Sequence, residues 1–298
     1  MFKNVKKNKF ESGFIICLFV ILITLLIYYV CNLFKLGPIS IVIAIVISIA
    51  MAWSSYYYSD KIVLSLCHAR PATQEEDLKL VNILDALMIT ANLPVKPRLY
   101  VVEDPQPNAF ATGRNPQNAV ICVTTGLLAK LEYYELEGVI AHEISHIKNY
   151  DIRLSAIVSV MVGFIVILSD TVSRILFWGG DRDRDNNGSG FLMIIGLICL
   201  ILSPIFGSLM QLALSRKREF LADATAIELT RNPDGLISAL EKLEADQNQL
   251  HTANSATANM YIISPFKKNT KEGKRKTSSI WSTHPSTEAR VEALRNIK

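Results

Sequence analysis

Residues 14–34 form a run of twenty-one positions without a charged side chain. Wound as an α-helix, such a run is about 30 Å long, the thickness of a bilayer's hydrocarbon core. It is too long for the apolar region of a typical signal peptide, and no small-residue cleavage site follows it, so it reads as an anchor. The turn Lys35-Leu36-Gly37-Pro38 then sends residues 39–53 back as a second span. Lys3, Lys6, Lys7 and Lys9 precede the first span, against Lys35 alone in the hairpin. The positive-inside bias therefore puts the N-terminus in the cytoplasm, and the chain re-enters it near Ser54.

Two more apolar runs lie further on. Residues 154–177 contain the first, interrupted by Asp170 and Arg174, and residues 191–214 the second, with Pro204 and Gly207 set to kink it. The polar, Gly- and Asn-bearing residues 179–190 between them read as a loop. Lys148 and Arg153 before this pair, and Arg216-Lys217-Arg218 after it, place both of its ends on the cytoplasmic side. The first run of the pair is short, so the two either cross the bilayer or dip into it as a hairpin. Of the whole chain 50% is hydrophobic and only 19% charged, with a mean hydropathy of +0.27. The net charge of +4 is modest and sits partly beside the apolar runs, which gives no case for nucleic-acid binding. The five cysteines include no CxxC pair, so neither a disulfide framework nor a thiolate zinc site is indicated, which suits a reducing compartment.

The chemistry is carried by Ala141-His142-Glu143-Ile144-Ser145-His146. Histidines at i and i+4 stack on one face of a helix, where both imidazoles reach one zinc ion while the intervening glutamate holds a water against it. Residues 131–139 supply the first turns of that helix. The flanking Glu132, Glu135, Glu137, Lys148 and Asp151 argue against a position inside the bilayer. Two histidines leave a tetrahedral catalytic zinc one protein ligand short, with the fourth position open. His68, His251 and His284 remain, but a carboxylate on a second helix is the better candidate. Residues 215–230 form such a helix, with Glu219 and Asp223 sharing a face at i, i+4. One can bind the metal while the other hydrogen-bonds a ligating imidazole.

Between these motifs the pattern is mixed. Residues 75–91 have helical spacing, with Thr73 as a candidate cap, and residues 98–103 and 119–124 are strand candidates. Asn108-Ala109-Phe110-Ala111-Thr112-Gly113, bounded by Pro105, Pro107 and Pro116, is an edge strand or a loop. Residues 235–245 have helical spacing, residues 264–279 are Lys-rich, and Ser286 caps a short final helix with Glu288 in its first turn.

With these motifs the chain resembles the HtpX family of bacterial membrane zinc metalloproteases, relatives of the CAAX prenyl proteases. The resemblance rests on the two N-terminal spans, residues 108–113, HEISH with Asp151 beyond it, the apolar pair, Glu219 and Asp223, and Thr283-His284-Pro285 with Arg290. It implies that His142, His146 and Glu219 bind one Zn²⁺ and that Glu143 is the general base. Asp223 then supports a ligand, and stress-linked quality control of misfolded membrane proteins in the bacterial cell (inner) membrane is the expected role.

The expected architecture is mainly α with a small β-sheet: a multi-span membrane protein of four apolar segments carrying a zincin-like cytoplasmic protease domain. Residues 1–54 form a membrane hairpin (spans 14–34 and 39–53), and 55–153 the first part of the protease domain. Residues 154–214 form a second hairpin (spans 154–177 and 191–214), and 215–298 complete the protease domain. His284, or else Arg290, could supply the donor that a tetrahedral oxyanion requires. Asn108, Ala109, Phe110 and Ala111 could pair with an extended substrate. The expected partners are unfolded or membrane-protein substrates and the lipid bilayer. The competing reading is an inactive membrane scaffold with a structural zinc site.

Overall fold

The computed structural model describes residues 2–33, 36–75, 77–178, 216–246, 248, 257–263 and 285–297. The apolar run 191–214, the Lys-rich residues 264–279 and His284 lie outside these.

The first apolar run belongs to a longer helix than its composition suggests. α1 (Phe2–Leu33) starts within the lysine-bearing segment, and after the turn at Gly37–Pro38 the chain returns as α2 (Ile39–Tyr57). Gly37 has a φ of 65°, the left-handed region that suits glycine in this turn. The packing of α2 is inverted relative to a water-soluble helix. Ser40, Ala44, Ser48, Ala52 and Ser55 are buried, while Ile39, Ile41, Val42, Ile45, Val46, Ile47, Ile49 and Trp53 are exposed. Small residues inward and aliphatic residues outward is the arrangement lipid favours, because close backbone contact rather than apolar burial holds membrane helices together. Among the described residues two stretches, Val5–Tyr29 and Ile39–Tyr57, are long and apolar enough to cross a membrane.

The segment that follows contains α3 (Ser59–Leu66), β1 (Arg70–Pro71), α4 (Leu78–Ala91), β2 (Arg98–Val102), β3 (Ala109–Thr112), β4 (Val120–Thr124), α5 (Thr125–Lys130) and α6 (Tyr133–Lys148). The sheet order is β1-β2-β4-β3. β2 and β4 are parallel, and β1 and β3 are antiparallel additions at the two edges. The alternation along β3 sorts its side chains. Ala109 and Ala111 join the core formed with α4 and α6, while Phe110 faces Val63, Cys67, Cys122 and Tyr261 on the opposite side. Helix α4 starts at Leu78 rather than near residue 75, and Thr73 does not cap it. Instead Asp77 Oδ2 accepts from the Thr73 amide at 3.1 Å, forming a turn ahead of the helix.

Tyr150, with a φ of 63°, breaks the chain between α6 and α7 (Asp151–Trp178). α7 packs its Leu154, Ile157, Val158 and Met161 against Ile15, Phe19 and Ile23 of α1. α8 (Arg216–Thr230), α9 (Pro233–Ala245) and α10 (Thr287–Arg295) complete the described elements. α6 is fixed from several sides. Glu135 accepts from Ser238 and from Lys242, the latter at 2.8 Å. Gly138 lets α9 approach so closely that a Cβ there would lie 2.9 Å from the Leu236 nitrogen.

Candidate active site

α6 holds His142, Glu143 and His146 one turn apart on a face that looks away from water. His142 and Glu143 are 1% and 2% exposed, and the His146 side chain 16%. α8 crosses this face and brings Glu219 and Asp223, both buried, against it. The two carboxylates meet different edges of the imidazoles. Glu219 faces the Nε2 atoms, at 3.7 Å from His142 and 3.6 Å from His146. Asp223 Oδ1 lies 2.9 Å from His142 Nδ1. His146 Nδ1 finds its own carboxylate in Asp151 Oδ2, at 3.1 Å.

Both Nδ1 atoms are therefore held by carboxylates while both Nε2 atoms point at one spot, 3.1 Å apart. Two nitrogens bound to one tetrahedral zinc at 2.0–2.1 Å would lie about 3.3 Å from each other. His142, His146 and Glu219 form a potential metal-binding cluster whose ligand atoms all lie within 4.8 Å of one another. Charge agrees with geometry. The carboxylates of Glu143, Asp151, Glu219 and Asp223 are offset by the guanidinium groups of Arg218 and Arg290. More carboxylates than guanidinium groups converge here, so the cluster is set to attract a cation. The residues present fit zinc.

The site also sets its proton affinities. Burial pushes Glu143 up to about 7, with the Glu219 charge adding to the rise and His146 and Arg290 opposing it. Burial lowers His142, assisted by Arg290 and opposed by Asp223. Burial pulls His146 down too, but the Asp151 hydrogen bond and Glu219 outweigh it and bring the ring to about 9. Asp223, despite burial, is held at about 2 by Arg290 and His142.

Arg290 does not stand free over the cleft. Its Nε and Nη2 donate to Asp223 at 2.8 and 2.6 Å, and Nη1 donates to the Ile262 carbonyl at 3.2 Å. Residues 108–111 divide along their length. Asn108 Nδ2 donates to the Ile263 carbonyl at 2.9 Å, and the Ala109 carbonyl accepts from the Ile262 amide at 3.0 Å. Phe110 points away from the site, and the Ala111 amide hydrogen-bonds Glu143. Residues 257–263 thus lie along the outer edge of β3 and roof a cavity of about 30 Å³. Ala111, the metal-site residues, Ser155, Asn259 and Tyr261 are among those lining it.

Sequence reasoning missed three contributors. Asn8 and Glu11 of α1 reach the far side of the site, where Asn8 bonds Asp151 and Glu11 bonds Arg218. Asn259 lines the cavity. No spacing rule marks any of them, because each arrives from a segment distant in the chain.

Comparison with known proteins agrees with this chemistry. The model of peptidase family M48 matches residues 74–298. The chain is 44% identical over 295 residues to a protease HtpX homolog of Dictyoglomus turgidum, covering 99% of this chain and 94% of that one. It is 40% identical over 304 residues, the full length of both, to a protease HtpX homolog of Streptococcus gordonii. The crystal structure of Ste24p from S. mikatae aligns over 90% of this chain and 61% of that one, with a TM-score of 0.48 and 18% identity. With a family match over most of its length and HtpX homologs alongside it from end to end, the chain belongs to peptidase family M48 as an HtpX-like zinc metalloprotease.

Proposed function

We propose that the chain is a membrane-anchored endopeptidase that cuts unfolded or misfolded membrane proteins at the cytoplasmic face, with one zinc per chain. The observation that carries this reading is the convergence of His142, His146 and Glu219 in a buried cavity beside Glu143. Zinc bound there would polarise a peptide carbonyl and lower the pKa of a water to about 7. Glu143, with its own pKa at about 7, is matched to take that water's proton and to return it to the leaving amine. Asp223 fixes His142 through Nδ1, and Asp151 does the same for His146, so each ring presents Nε2. Arg290 serves by holding Asp223. At the open end of β3 the Ala111 carbonyl would pair with an extended substrate, which would give broad sequence tolerance.

The cytoplasmic assignment draws on α1. Its first turns touch Asp151 and Arg218, so the site shares a side of the membrane with the lysines that precede the first span. In this reading residues 154–177 and 191–214 form the second membrane hairpin. The test uses inside-out and right-side-out bacterial membrane vesicles containing the protein, each given zinc and an added unfolded substrate. Zinc-dependent cleavage of added substrate only by inside-out vesicles is expected. Cleavage only by right-side-out vesicles would overturn the orientation.

A further inference from the structure

The tetrahedral intermediate of peptide hydrolysis carries an oxyanion, and a preorganised donor aimed at it is worth orders of magnitude in rate. Among the described residues that line the cavity, most side-chain donors already have partners. Arg218 is held by Glu11 and Asp151. The Tyr261 hydroxyl points across the sheet to Cys67 Sγ at 3.6 Å. Arg290, behind His142, is used by Asp223 and the Ile262 carbonyl.

Asn259 is different. It is 2% exposed and lines the same cavity as His142, Glu143, His146 and Glu219. Its Oδ1 accepts from the buried Ser159 hydroxyl at 3.1 Å, which fixes the carboxamide. Its Nδ2 has no hydrogen-bond partner among the described residues. A buried amide left without a partner costs about 1–3 kcal/mol, so such a group persists where something that enters the site pairs with it. The cavity, at about 30 Å³, has room for only one or two water-sized groups. An oxygen entering beside the metal-site residues shares that cavity with the carboxamide.

Resting on the zinc-protease reading above, we propose that Asn259 is a catalytic residue. Its Nδ2 donates to the oxygen of the scissile carbonyl as that oxygen becomes an oxyanion. Residues 257–263 are then more than a roof, because their pairing with β3 through Ile262 sets the height of this donor over the site.

The test compares wild type with Asn259→Ala and Asn259→Leu, all checked for bound zinc and melting temperature. Each binds two peptide inhibitors, a tetrahedral phosphonamidate, which mimics the oxyanion, and a planar hydroxamate. Loss of phosphonamidate affinity by about 10²-fold, with hydroxamate affinity nearly kept, is expected. In turnover, kcat should fall by a similar factor with KM little changed. A second measurement needs no variant: in wild type labelled with ¹⁵N at its asparagine side chains, the phosphonamidate alone should shift one carboxamide proton downfield. Equal loss of both inhibitors, no loss of either, or no such shift would overturn the assignment of Asn259. If zinc-loaded wild type binds neither inhibitor and cleaves nothing, the underlying protease reading fails instead.

Discussion

Asn8 Nδ2 lies 2.6 Å from Asp151 Oδ1, a contact between residues 143 positions apart. The other oxygen of the same carboxylate holds His146 Nδ1. The N-terminal end of α1 is therefore part of the support beneath the metal-binding cluster. Asn8→Leu keeps the side chain's size and removes its donors. Zinc affinity, measured by competition with a chelator, should fall by about tenfold while hydrophobic packing of α1 against α7 is unaffected. An unchanged affinity would show that Asp151 needs no support from α1.

Arg290 and Asp223 form a buried two-point pair. Arg290→Met strands the Asp223 carboxylate out of water, a loss of about 3–5 kcal/mol when one partner of a buried pair is removed. Thermal melting of the zinc-free protein should show a large downward shift. Arg290→Lys should be intermediate, because an ammonium cannot reproduce the guanidinium fork. Equal melting of Arg290→Met and wild type would contradict the pairing.

Metal binding should displace a proton. His146 stands at about 9 without metal, so at pH 8 it is mostly protonated, whereas a zinc ligand must be neutral. His142 is shifted the other way and has no proton to lose there. Calorimetry at pH 8 in buffers of different ionisation enthalpy should report release of about one proton per zinc. Zinc affinity should rise as pH rises toward 9 and flatten above it. Affinity independent of pH between 7 and 9 (about the range in which His146 titrates) would contradict this.

The close approach at Gly138 is also testable. A side chain there meets Leu236 backbone atoms rather than a flexible tip. Gly138→Val should therefore push α9 from α6, lower the melting temperature and shift the helix that carries the histidines. Wild-type melting would show that the two helices can separate without loss.

The sequence exposes most clearly what local geometry dictates. HEISH and the Glu219–Asp223 pair are legible because ligands on one helix must recur every four residues. β2 and β4 are legible from β-branched runs, β3 only as an edge strand or a loop and β1 not at all, and Ser286 is legible from its capping chemistry, with Ser286 Oγ accepting from the Ala289 amide at 3.2 Å. Arg290 was visible as a residue of interest, but only tertiary packing puts its guanidinium against Asp223. Asn8 and Glu11 sit among lysines and read as the polar flank of a span. Their partners are fixed by how α1 leans on α7 and α8, which no local pattern encodes. Asn259 belongs to no motif in the sequence, and the residue that fixes its carboxamide, Ser159, lies one hundred positions earlier. The apolar run marks the lipid-facing part of α1, whereas its extension back to Phe2 runs through lysines that apolar patterning does not register.

In the proposed reaction a zinc held by His142, His146 and Glu219 works with Glu143 as the base. The most direct measurement takes detergent-purified wild type and Glu143→Gln, strips and restores zinc, and follows casein cleavage alongside bound metal. Wild type should cleave only with zinc, while Glu143→Gln should bind near-stoichiometric zinc and remain inert. Zinc-loaded Glu143→Gln that cleaves as wild type does, or folded wild type that binds no zinc, would contradict the account.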